Sequence, residues 1–130
     1  MKNVSNILGG LLGLVFFVFG LNFFLKFLPM PPFPEGSPAA AFMGAMVATG
    51  YLAFVKVLEI AGAVLVALPK TRVFGLLILG PIVVNILAFH IFLLGGAGLL
   101  GVPLFVAVLA LVLAWLERGR LFGCGGRKEA

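Results

Sequence analysis

Five residues that apolar surroundings penalise interrupt otherwise apolar runs: Asn22, Lys56, Glu59, Asn85 and His90. Lys56 and Glu59 are three apart and so share a helical face, on which Ala45, Thr49, Leu52 and Ala63 continue the stripe. An ammonium there can donate to a carbonyl oxygen, a carboxylate can hold or relay a proton, and Asn85 and His90 can each donate and accept. The bland alternative is a polar network that cancels its own charge and fixes helix register. Because Lys before Glu is the weaker order for a helical pair, both side chains call for partners on other helices. A metal centre is not expected: there is one histidine, no Asp, and no second His or Cys to complete a site. No nucleotide-binding GxxxxGKS loop and no Ser/His/Asp set is present.

The elements that must position these groups follow from composition. Of 130 residues, 63% are hydrophobic and 10% charged, and the mean hydropathy is +1.29, whereas a soluble domain carries roughly 25% charged residues. A water-soluble monomer is excluded, and most of the chain must face lipid. Four spans are expected, about 4–28, 41–68, 73–94 and 99–116, followed by a cytoplasmic tail over 117–130, all in one membrane domain covering 1–130. The first apolar run starts like a signal peptide but continues to Phe27 without a small-residue cleavage site, so it reads as a span. The Pro-rich segment PMPPFPEGSP stops it, and the second span, longer than a bilayer requires, should tilt or protrude. Pro81 should free the Leu77 carbonyl and kink the third span. The lone cysteine, Cys124, lies in the polar tail, so no internal disulfide is expected.

Short connections make neighbouring spans antiparallel, and the fold class is all-α: an up-down-up-down four-helix bundle. Seven of the nine basic residues fall on the side holding both termini and the loop between spans two and three. The positive-inside rule puts that side in the cytoplasm, so the net charge of +5 reports topology rather than a nucleic-acid partner. Trp115 suits the cytoplasmic interface and Lys26 the outward rim. Small residues recur at Gly9 and Gly13 and at Ala41 and Ala45, a spacing that carries little weight in a chain this rich in Gly and Ala. At about 1.5 Å per residue, Lys56 and Asn85 stand roughly 18 Å above the cytoplasmic ends of their spans, with Glu59 a turn lower. His90, Tyr51 and Asn22 stand roughly 25 Å up, as a second, outer polar layer.

The elements GLNFFLKF, VKVLEIAG and PIVVNILAFH, carrying Asn22, Lys56, Glu59, Gly62, Pro81, Asn85 and His90, resemble the DoxX family of small four-span bacterial membrane proteins. The resemblance covers nearly the whole chain except the tail. It implies a four-helix bundle in the inner (cytoplasmic) membrane and a setting of terminal-oxidase, thiosulfate:quinone oxidoreductase or redox-stress complexes, so that any enzymatic role is at most that of a subunit. Two expectations of different class follow. One is a redox-associated subunit that binds a quinone or other lipophilic small molecule between the two polar layers, at Asn22, Tyr51, Lys56, Glu59, Asn85 and His90, with redox protein subunits as partners. The other is a non-catalytic assembly or transport protein whose polar network is structural. Either leaves homo-oligomerisation open.

Overall fold

The computed structural model describes residues 2–28 and 32–122; Cys124 and most of the tail lie outside them. Every regular element among the described residues is helical: α1 (Lys2–Leu25), α2 (Pro38–Ala48), α3 (Tyr51–Ala67), α4 (Arg72–Ala88) continued by a π-helical turn (Phe89–Leu93), α5 (Val102–Leu116) and α6 (Arg118–Phe122). Two helical stretches, Asn3–Leu25 and Pro69–Leu93, are long and apolar enough to cross a membrane, and α2 with α3 makes a third if the bent pair counts as one span. α5, at 15 residues, is shorter.

The helix expected over 41–68 is broken. Ser37 caps α2 by accepting from the Ala40 amide, and Pro38 begins the helix where a missing N–H costs nothing. Eleven residues later the Thr49 hydroxyl donates to the Ala45 carbonyl at 2.8 Å, and Gly50 adopts φ 82°, a left-handed conformation that glycine enters without steric cost. The chain then turns, and α2 and α3 lie 83° apart. Rather than tilting as one long helix, the second apolar run folds α2 back over α3 and the π-helical turn. Phe42 meets Phe89 edge-on with ring centroids 5.7 Å apart, and Phe33 is tilted on Phe89 at 5.5 Å. Ala45 and Thr49 are therefore exposed on the far side of the break, severed from Leu52, Glu59 and Ala63, which are buried.

The remaining helices enclose one core. α3 packs on α1 and α4, and α5 packs on α4 and α1. Glycine makes the first two contacts close. Gly9 lies against the Val66 carbonyl, Gly13 against Ala63 and Ala67, and Gly20 against Ile60 and the Lys56 carbonyl, so α1 and α3 run antiparallel. A Cβ on Gly13 would stand 2.6 Å from the Ala63 carbonyl oxygen. Gly62 against Leu79 and Gly75 against the Val66 backbone make α3 and α4 antiparallel as well. Gly9 and Gly13, at a spacing too common here to argue from, thus do pack, whereas Ala41 and Ala45 are exposed on α2. Leu12, Phe16, Val66, Leu79, Val106 and Leu113 fill the centre. The outer surface carries exposed Ile7, Phe54, Phe74, Phe92 and Leu111, the inverse of a water-soluble surface and the expected one where solvent is lipid.

Candidate functional site

Lys56 and Glu59 meet. The Lys56 Nζ donates to Glu59 Oε1 at 3.4 Å, with the glutamate side chain 6% exposed and that of the lysine 21%. Around α3, at about 100° per residue, Glu59 falls between the arc that meets α1 (Lys56, Ile60, Ala63) and the arc that meets α4 (Gly62, Val66). It therefore faces the bundle interior, level with Phe16 of α1 and Ile82 of α4, both buried. The partners on other helices that the weak Lys-to-Glu order called for do not appear among the described residues. This contact is the sole hydrogen bond to either side chain there.

The other four candidates are not gathered with this pair. Asn22 is buried, and its Oδ1 accepts from the Leu28 amide at 2.7 Å. With Lys26 at φ 55°, this closes the end of α1 three residues earlier than hydropathy implies. Tyr51 is exposed beside Gly50. The His90 Nδ1 lies 2.8 Å from the Ile86 carbonyl, so its proton is spent on its own helix, and the ring lies beside Gly98 in the glycine-rich loop before α5. Asn85 has the height expected of it, because the α3/α4 register sets it level with Lys56. Its direction differs: it is exposed, on the side of α4 that carries Phe74 and Pro81. The two expected polar layers are thus not assembled, and Lys56 with Glu59 remains.

A groove of about 310 Å³ runs between α1 and α3, lined by apolar residues including Gly10, Gly13, Phe17 and Val64. Val64 is about 140° round α3 from Glu59, so the groove opens on the opposite flank of the helix. Among the described residues no three His, Cys, Asp or Glu side chains gather as a metal site.

A second polar cluster escaped sequence reasoning. Arg72, 2% exposed, donates from Nε to the Val66 carbonyl at 2.8 Å, from Nη2 to the Ala67 carbonyl at 3.1 Å and from Nη1 to Asn6 Oδ1 at 3.1 Å. Nη1 also lies 3.7 Å from Glu117 Oε2, and Arg120 holds the other oxygen of Glu117 at 3.0 Å. One guanidinium thereby ties the start of α1, the end of α3, the start of α4 and the end of α5, and Gly9 leaves room for it. The carbonyls it serves belong to the last turn of α3, which the helix cannot satisfy itself. The available signal was scarcity: the chain has four acidic residues in all, and Glu117 directly follows the last apolar run. Beside the cluster the Arg118 guanidinium sits 3.9 Å from the centre of the exposed Trp115 ring, a cation–π contact.

No protein-family profile, no curated protein and no solved structure matches the chain.

Proposed function

We propose that the chain is a multi-pass protein of the cytoplasmic membrane, a four-span up-down-up-down bundle with both termini in the cytoplasm. In this reading Lys56 and Glu59 form a mid-depth site for a lipophilic molecule bearing carbonyl groups, with quinone as the type. Support for the topology comes from the antiparallel register of α1 with α3 and of α3 with α4, and from the concentration of basic residues at one end. Four spans require α5 and the loop before it to cross together, and α2 with α3 to count as one bent crossing. The DoxX likeness, with its redox setting and its role for accompanying subunits, belongs to the same proposal. It rests on the elements quoted above.

The observation that carries the site is the pair itself. A carboxylate and an ammonium are held inside an apolar bundle with one hydrogen bond between them at 3.4 Å, so further donors and acceptors on both groups go unused among the described residues. Buried polar groups are ordinarily satisfied, and ionisable groups at membrane depth mark ligand or proton sites by default. Lys56, the more accessible of the two, donates to a carbonyl oxygen of the bound ring. Glu59 orients the ammonium and exchanges a proton with it. A neutral ring arrives from lipid without the desolvation cost of a charge. Asn85 and His90 have no part here, since one faces outward and the other is bonded to its own helix.

The second reading, a non-catalytic assembly or transport protein, is favoured by a different observation: Asn22 and His90 are spent on backbone groups, and Arg72 on backbone carbonyls and the Asn6 and Glu117 side chains, so polar residues in this bundle commonly serve structure. The two separate on titration of purified protein with a short-chain quinone analogue, followed by thermal stability. Ligand binding predicts a saturable rise in melting temperature that Lys56→Met abolishes while the variant still unfolds cooperatively. No stabilisation of the unmodified protein by any quinone analogue leaves the structural reading.

A further inference from the structure

The Asn85 amide carries two donors and an acceptor, yet no hydrogen bond reaches it from the described residues, and it is exposed on the outer side of α4. The helical stretch that contains it runs from Pro69 to Leu93, 25 residues, so Asn85 is four residues, about 6 Å, from the middle. With a hydrocarbon half-thickness of about 15 Å, that is well inside the apolar layer. Lipid tails offer neither donor nor acceptor, and an unpaired amide in hydrocarbon is strongly disfavoured. A protein group other than the described residues must meet it.

We propose that α4 is the interface of a homodimer in which Asn85 of one copy hydrogen-bonds Asn85 of the other. Two features select a second copy as the occupant. All copies of a membrane protein insert with the same orientation, so a two-fold axis along the membrane normal brings each residue to its own counterpart at the same depth. An amide is complementary to itself, each oxygen accepting from the partner's nitrogen. The face around it also has the required spacing. Phe74, Pro81, Asn85 and Ala88 recur at intervals of seven, four and three, the spacing of a two-helix coiled contact; Phe74, Pro81 and Asn85 are exposed on this face, while Ile78, at its remaining position, packs beside Gly62 of α3. A single amide in an otherwise apolar seam is the device that sets register and copy number in such contacts. The inference rests on α4 crossing the membrane and not on what Lys56 and Glu59 bind.

The test is energy transfer between donor- and acceptor-labelled copies of the full chain in lipid vesicles, over a range of protein-to-lipid ratios. The unmodified protein should dimerise, Asn85→Leu should weaken the dimer about tenfold, the loss of two amide hydrogen bonds in lipid, and Asn85→Gln should retain most of it. In a Cys124→Ser background, Ala88→Cys should form an intermolecular disulfide on oxidation, and Leu111→Cys, exposed on α5, should not. Because Asn85 is exposed and its side chain makes no hydrogen bond to the described residues, Asn85→Leu should keep the monomer's melting temperature, which separates lost association from misfolding. An unmodified protein that stays monomeric at all ratios, a dimer indifferent to Asn85→Leu, cross-linking at position 111 instead of 88, or Asn85-dependent binding to a different protein in place of self-association would each overturn the proposal.

Discussion

Replacing Arg72 by methionine keeps most of the side-chain volume and removes every polar contact it makes. The structure gives the inventory: three hydrogen bonds at 2.8 to 3.1 Å and an ion pair at 3.7 Å. Two of the abandoned acceptors are carbonyls in the last turn of α3, and the third is the Asn6 side chain, so three groups lose their partner at a site the arginine leaves only 2% exposed. Breaking a buried charged pair typically costs 3–5 kcal/mol. Glu117 keeps its 3.0 Å bond to Arg120, so the lower end applies, about 3 kcal/mol. For a chain of this length that is a fall of about 10 °C in melting temperature. Arg72→Lys should lose about 2 kcal/mol, because a point ammonium cannot reach acceptors that a planar fork spans. The assay is thermal unfolding in detergent, with Glu117→Gln and the double variant completing a cycle. The double variant should be less destabilised than the sum of the singles by about 1 kcal/mol or more. Loss below about 0.5 kcal/mol for Arg72→Met, the level of an ordinary surface change, would refute the reasoning, and strict additivity would show that Glu117 is not its charge partner.

Gly75→Ala should destabilise by more than about 2 kcal/mol, since its Cβ would collide with the Val66 backbone, whereas Gly10→Ala, where a Cβ meets nothing within 4 Å, should be neutral or slightly stabilising; equal effects in the same melting assay would contradict the α3/α4 packing. Lys56→Met and Glu59→Gln should each destabilise, and the double variant should recover part of the loss; additive losses would place the two side chains in separate environments. A reporter active only in the periplasm should be silent when fused after Ala130 and active when inserted between Pro34 and Ser37; the reverse pattern would sink the charge-based orientation.

Composition alone determines the class of this molecule. With 63% hydrophobic and 10% charged residues there is no way to present a polar surface to water, and the elements that lipid permits over such runs are helices. Local spacing reaches further: three residues on a helix bring Lys56 to Glu59 by helix geometry alone, and the rise per residue, counted from the short connection between α3 and α4, sets Asn85 level with Lys56 once those helices pair antiparallel. What sequence could not decide is the direction in which each side chain points. In a soluble helix the polar face marks water, but here the core and the lipid are equally apolar, so the 3.6-residue periodicity that would orient α4 is nearly erased. Asn85 therefore reads as an interior residue until packing turns it outward. The break at Gly50 is invisible for a related reason, since hydropathy sums across a left-handed glycine without registering it. The Arg72, Asn6 and Glu117 cluster joins residues 66 and 45 positions apart, a proximity that exists only once α1, α4 and α5 have closed around one core. Its charges look like loop charges in the sequence, and only burial, which depends on the whole bundle, makes them a lock.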